Sequence, residues 1–269
     1  MLTRYAGRPA VFNQEAPPDV DALWSEGEQY SRVIFALDVQ GDPARTMGGS
    51  LAVEAQCVAG KGSPEELELI VRRLIDGYFF SDEGCTMAAG WVDSRYFAEP
   101  ADKVNGVRLT FNLLAFPMLT TESIDVTARA NAWTAERFPE LLVINRDTLP
   151  AVWKPENGKN AVYWRVIGVK PAGWIPDTHQ TVWRTAVLKC HVFASDISAA
   201  AEISQNLSIK LYSDRRFVKK GENQIMVNRN NSVDTGADAL RTGQLTVEAT
   251  FGEIIWRKPY NPLNHIHYV

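Results

Sequence analysis

Apolar and β-branched residues recur along this chain in short runs that alternate with polar positions, and turn-forming residues bound each run. Residues 31–39 and 51–58 read as two strands on that basis. Gly60-Lys61-Gly62 then interrupts the pattern. Ser63 is placed to cap a helix, with Pro64 at its first position and Glu66 at the capping-box position. Leu67, Ile70, Val71, Leu74, Ile75 and Tyr78 follow at helical spacing and predict one apolar face. Two more strands are expected near 85–97 and 107–116. The second half runs in the same order. Strands are expected over 161–169 and 182–193, then a helix capped by Asp196 that carries Ala200, Ile203, Leu207 and Leu211, then strands near 224–229 and 244–254. Between the halves, Val126, Ala130, Trp133 and Phe138 predict a short helix within 120–140, followed by the apolar segment Leu141-Leu142-Val143-Ile144. Residues 13–28, acidic and containing Pro17-Pro18, read as a loop. So do residues 215–242, with Lys219-Lys220 and Asn228-Arg229-Asn230-Asn231.

Blocks of sequence also repeat. Ala52-Val53-Glu54-Ala55-Gln56-Cys57-Val58 resembles Ala186-Val187-Leu188-Lys189-Cys190-His191-Val192, an offset of 134 from 52 to 186. Asp93-Ser94-Arg95 stands against Val227-Asn228-Arg229 at the same offset, 95 to 229. Leu109-Thr110-Phe111 stands against Leu245-Thr246-Val247 at 136, and Pro9-Ala10-Val11-Phe12 against Pro150-Ala151-Val152-Trp153 at 141. The shared order of these blocks points to a duplicated α+β unit, an antiparallel or mixed sheet with a helix packed on one face. The expected division is 1–118 for the first unit, 119–258 for the second with its opening helix, and 259–269 for a C-terminal arm. In that arm Pro259 and Pro262 disfavour a helix or a central strand, while Tyr260, Leu263, Ile266 and Tyr268 offer apolar contacts.

Composition narrows the function. The 269 residues are 45% hydrophobic and 22% charged, an ordinary globular balance, with a net charge of −4. That charge argues against binding nucleic acid through its phosphates as the main activity. No apolar run reaches the length of a membrane-spanning helix, and residues 1–9 do not read as an export signal. Cys57, Cys85 and Cys190 are odd in number and far apart, so they read as buried thiols in a reducing compartment.

Candidate chemistry is sparse. Gly60-Lys61 lies between a strand and a helix, but Ala55 and Gly62 occupy positions where a phosphate loop requires glycine and Ser or Thr. The segment reads as a turn, and no nucleotide or other cofactor is expected. His265 and His267 share one side of an extended tail, yet two ligands are too few for a closed zinc site. His179 adds no ligand spacing, and His191 reads as a hydrogen-bonded structural residue. Glu65-Glu66 and Asp82-Glu83 read as capping or solvated carboxylates. No catalytic residue, cofactor site or metal site is therefore expected, and the chain reads as a non-enzyme. The eight tryptophans are Trp24, Trp91, Trp133, Trp153, Trp164, Trp174, Trp183 and Trp256, and five of them fall between 133 and 183. Trp174, flanked by Pro171 and Pro176, reads either as a subunit anchor or as a loop folded onto its own domain.

Two segments resemble the tail terminator and tail-completion (neck) proteins of tailed bacteriophages. Ala130-Asn131-Ala132-Trp133-Thr134-Ala135-Glu136-Arg137-Phe138-Pro139-Glu140, followed by Pro150-Ala151-Val152-Trp153, looks like their opening helix and first strand. Arg241-Thr242-Gly243-Gln244-Leu245-Thr246-Val247-Glu248-Ala249-Thr250-Phe251-Gly252 looks like their closing strand. The resemblance implies a structural virion protein of the tail or neck, assembled in the host cytoplasm. It implies a homo-oligomeric ring that caps the tail tube and joins it to the head–tail connector, with DNA passing through the lumen and no specific nucleic-acid or membrane binding. The tandem units would let three chains imitate a six-fold ring, but the units differ in their loops and charge, which favours a hexamer over that pseudo-six-fold trimer. The alternatives are another tube-like component such as a baseplate hub and, in a different class, a small-molecule enzyme with a site between the two units.

Overall fold

The computed structural model describes residues 4–5, 8–26, 29–41, 48–82, 85–117, 126–145, 149–156, 158–173, 175–178, 181–217 and 226–254. The expected C-terminal arm, with His265 and His267, lies outside these residues, as do Trp174, Trp256, His179, Glu83 and the Lys219-Lys220 segment. The chain divides into two compact units. The first is Met1–Met118 together with Leu149–Pro155, and the second is Leu119–Thr148 with Glu156–Val269.

The first unit contains β1 (Arg4–Tyr5), β2 (Arg8–Pro9), β3 (Val11–Asn13), α1 (Pro18–Glu26), β4 (Arg32–Gln40), β5 (Gly48–Val58), α2 (Pro64–Ile75), β6 (Phe79–Asp82), β7 (Cys85–Glu99) and β8 (Val104–Pro117). The second contributes α3 (Val126–Arg137) and β9 (Leu141–Val143). The chain then supplies β10 (Val152–Trp153) to the first unit. It continues in the second with β11 (Asn160–Pro171), β12 (Thr181–Phe193), α4 (Ile197–Asp214), β13 (Arg216–Phe217), β14 (Met226–Val233) and β15 (Leu245–Ile254).

Both units are α+β, with a mixed sheet and helix packed on it. The seven-stranded sheet runs β10-β6-β7-β8-β5-β4-β3, and the six-stranded sheet runs β13-β14-β15-β12-β11-β9. Leaving β10 aside, the two orders are the same. The outermost strand of each, β3 or β9, is parallel to its neighbour, and every other pairing is antiparallel. Each sheet carries a bulge in the corresponding strand, at Val92 between Trp91 and Asp93 in β7 and at Arg229 between Asn228 and Asn230 in β14. Each main helix begins at a corresponding cap. Ser63 Oγ accepts from the Glu66 N–H at 3.3 Å, and Asp196 Oδ1 accepts from the Ala199 N–H at 2.8 Å.

The matching bulges correct the offset read from sequence. Val92 corresponds to Arg229, 137 residues on, so Asp93 matches Asn230 rather than Val227. The rung Val33–Ala55–Val107 then matches Trp164–Cys190–Leu245, offsets of 131, 135 and 138. Short alternating strands tolerate such slips in sequence comparison, because valine, alanine and leucine at alternate positions look alike in several registers.

A second correction concerns Pro150-Ala151-Val152-Trp153, expected to open the second unit. Val152 and Trp153 instead pair antiparallel with Phe80 and Phe79 in the first unit's sheet. Burial explains the placement. Trp153 meets Phe79 edge-on at 5.2 Å, and Phe79 lies against Phe116 at 5.7 Å. Lys154 donates to the Asp76 carbonyl at 2.8 Å and lies over the Tyr78 ring. The supposed loops also hold elements. Residues 13–28 include α1, and residues 215–242 include β13 besides β14, the strand expected near 224–229.

Candidate functional site

In the first unit, alternate residues of β5 and β8 (Val53, Ala55, Val107, Leu109, Phe111) form a core with Val71 and Ile75 of α2. One flank of α2 is tied to β7. Glu68 accepts from Ser94 Oγ at 2.8 Å and from the Tyr96 hydroxyl, and the Arg72 guanidinium lies 3.8 Å from the centre of the Trp91 ring. The Tyr96 and Ser94 hydrogen bonds hold the Glu68 carboxyl below the usual range, and Glu68 raises the Tyr96 hydroxyl. Ser94 donates to Glu68 and accepts from Trp91 Nε1 at 3.0 Å, so its proton and its lone pair both serve to join β7 to α2.

The other flank of α2 departs from the expected single buried face. Ile70 and Leu74 are 54% and 45% exposed, because β5, β7 and β8 lie beneath Val71 and Ile75 and the apolar stripe is wider than that contact. On the same face of the sheet, Leu37 and Val39 of β4 are 52% and 43% exposed. Strand β3 pairs only with Val33–Phe35, so among the described residues the outer edge of β4 beyond Phe35 has no partner strand. The exposure of these four residues is an apolar feature that the sequence reading missed. Its signal was present, since the alternation of β4 runs on past the residues that β3 covers.

The opposite face of this sheet carries polar groups beside buried apolar ones such as Val104, Leu114 and Phe116. Arg32 stacks on Trp24 of α1 at 3.8 Å, binds Asp21 at 2.7 Å and donates to Gln56 Oε1 at 2.6 Å. Beside it an open cleft of about 640 Å³ is lined by Asp93, Arg95, Phe97, Glu99, Arg108 and Thr110, among others. Arg95 and Arg108 stand directly opposite each other, but Asp93 meets the first at 3.1 Å and Glu54 meets the second. The cleft is thus charge-compensated rather than a concentrated anion site.

The second unit carries a continuous core under both α3 and α4. Asp214 of α4 joins the two helices, accepting from Arg137 Nε at 2.8 Å and from Trp133 Nε1 at 3.1 Å, with Lys210 at 3.2 Å. Burial alone would raise its pKa. The hydrogen bonds from Trp133, Lys210 and Arg137, with the charge of Arg137, outweigh burial and hold the carboxyl below the ordinary aspartate value of 3.8. A depressed folded pKa stabilises the fold above the unfolded value, and that contribution disappears as pH falls through the folded value. Asp214→Asn is therefore expected to cost about 1–2 kcal/mol at pH 7. In urea titrations its difference from the parent chain should shrink as pH drops below 3.8. A difference that does not shrink at all as pH falls below 3.8 would contradict this assignment.

His191, fully buried, is structural. Its Nδ1 donates to the Ala239 carbonyl at 2.6 Å, and its Nε2 accepts from Arg165 Nε at 3.0 Å, which defines the neutral tautomer. Gln244 binds both the N–H and the C=O of Val192 at 2.9 Å and extends the ladder with its side chain. These contacts order the loop before β15.

The remaining residues singled out in the sequence are dispersed. Gly60 has φ +79° in a turn closed by the Lys61 N–H to the Val58 carbonyl at 3.0 Å. Glu65 accepts from Ser63 at the start of α2. Cys57 and Cys190 are buried, Cys85 is half-buried, and burial pushes all three thiols up. Among the described residues, no group of three His, Cys, Asp or Glu side chains is placed to hold a metal, and no helix is long and apolar enough to cross a membrane. No protein-family model matches the chain, and no curated protein sequence matches it significantly.

Proposed function

We propose that this chain is a structural virion protein of a tailed bacteriophage, a ring-forming tail terminator or neck subunit that caps the tail tube and joins it to the head connector. The observation that carries the reading is the pair of sheets with one strand order, one bulge position and one helix-cap position in a single polypeptide. A duplicated unit suits a ring, because each chain then brings two repeats of one surface, and heterologous contacts close when the rotation per repeat allows it. The resemblance of the second unit's helix and closing strand to tail terminators points to the neck. In this reading the chain is not an enzyme and needs no cofactor. Six chains form the ring in preference to three, DNA passes through its lumen, and its partners are the tail tube and the connector. A baseplate hub component is the neighbouring alternative.

The C-terminal arm is proposed to clasp an adjacent chain. Truncation at Lys258 is expected to leave a folded protein that no longer forms rings, read by circular dichroism together with negative-stain microscopy and sedimentation velocity. Rings that form normally without the arm would remove its role, and a parent chain that stays monomeric at micromolar concentration would remove the ring itself.

A further inference from the structure

The shared strand order allows corresponding sheet edges to be compared backbone group by backbone group. In each unit the outer strand runs on past the short parallel strand beside it, β4 past Phe35 and β11 past Val162. On β4 the Val33 N–H donates to the Ala10 carbonyl at 2.7 Å, and the Phe35 carbonyl accepts from the Gln14 N–H at 2.6 Å. Odd-numbered residues therefore turn their backbone groups outward, and the register with β5 is unbroken as far as Gln40. Leu37 and Val39 thus direct two N–H and two C=O groups away from the sheet, where no strand pairs with them among the described residues. The corresponding edge of β11 is blunted. It carries a bulge at Ile167, followed by Gly168, Lys170 and Pro171. Pro171 faces Arg184 as Val39 faces Gly49, each six residues before the matched pair (190 to 184, 55 to 49), so a residue without an N–H stands at the position of Val39. Residues 36–40 of β4 contain no bulge, glycine, lysine or proline. The far edge of the same sheet already takes a strand from a distant segment, Val152 and Trp153 of β10 pairing with Phe80 and Phe79.

We propose that the β4 edge receives the C-terminal arm of a neighbouring chain as an added strand, with Ile266-His267-Tyr268 laid against Leu37-Asp38-Val39. The inference rests on the proposed clasp and names its seat. Length fits. Fifteen residues, 255–269, follow the last described strand, and the seven after Pro262 contain neither proline nor glycine, enough to span the five of the edge. Pattern fits as well. In either strand direction Ile266 and Tyr268 meet the exposed Leu37 and Val39, and His267 falls opposite the exposed Asp38. An imidazole N–H then stands beside a carboxylate that can accept from it. Strand β4 of a second copy fits less well. Antiparallel pairing through the same four backbone groups sets Asp38 against Asp38, like charges directly opposite. Strand β11 of a second copy offers a bulged edge that lacks a donor at Pro171.

The test is cysteine cross-linking in the full chain. Asp38 turns its own backbone groups toward β5, so an antiparallel residue opposite it would lie about 4.5 Å away between Cα atoms, within reach of a disulfide. The double variant Asp38→Cys with His267→Cys is expected, on mild oxidation, to give dimers and higher species on non-reducing gels, above the background of the parent chain oxidised alike. Mixing the two single variants should give the cross-linked dimer. Asp38→Cys with Tyr268→Cys, which the pairing puts on opposite faces of the sheet, should give none. A disulfide formed within one chain would assign the edge to the chain's own arm, and a dimer from Asp38→Cys alone would assign it to β4 of a second copy. Either result overturns the proposal. Absence of cross-linking in a preparation that sedimentation velocity shows to be a ring also overturns it and leaves the ring reading standing. A parent chain that sediments as a monomer removes the ring reading, and this proposal with it.

Discussion

Trp164→Ala is expected to lower the stability of the second unit by about 3–5 kcal/mol. Trp164 is fully buried in strand β11, between the β12 and β9 strands and beneath α3. Its indole N–H donates to Thr134 Oγ1, which in turn donates to the Ala130 carbonyl at 2.8 Å, so the substitution also breaks a buried chain of hydrogen bonds. Trp164→Phe separates the two contributions. It keeps most of the apolar area and leaves Thr134 without its donor, and should cost about 1–2 kcal/mol. Denaturant titration followed by circular dichroism measures both. If Trp164→Ala moved the midpoint no further than Trp164→Phe, the proposed packing of α3 on β11 would be wrong.

Gly243→Ala should be almost as damaging, although it adds a single methyl group. Gly243 has φ +75°, a left-handed backbone that costs a non-glycine residue about 1–3 kcal/mol. A Cβ there would sit 2.8 Å from the Cys190 carbonyl oxygen and 3.0 Å from His191 Cδ2, and neither can move without disturbing β12 or the buried histidine. Overlap of this kind costs about 1–3 kcal/mol more, giving an expected loss of about 2–6 kcal/mol. Gly60→Ala is the matched control, since Gly60 has a similar φ of +79° with open space around it. It should show the backbone cost alone. Equal losses at both glycines would mean that the loop before β15 yields more easily than its contacts to His191 and Val192 imply.

The sequence by itself determined the main elements. Strands β4, β5, β7, β8, β11, β12 and β15 follow from alternation, which burial of one face imposes wherever a strand lies on a core. The helices α2 and α4 follow from Ser63 and Asp196, because a cap must satisfy N–H groups that only neighbouring residues can reach. The hydrogen-bonded, structural role of His191 was likewise readable, though its partners Arg165 and Ala239 were not. Tertiary structure decided the rest. The destination of Val152 and Trp153 depended on a vacant sheet edge beside Phe79, far away in sequence. The correspondence of strand positions in the two sheets depended on bulges in β7 and β14, which change register without leaving a compositional mark. Asp214 became a junction only once Trp133 and Arg137, on another helix, came within reach. The exposure of Ile70 and Leu74 was hidden for the same reason. An apolar stripe on a helix shows that something packs there, but its width on the page is the same whether a sheet covers all of it or, as here, leaves Ile70 and Leu74 open.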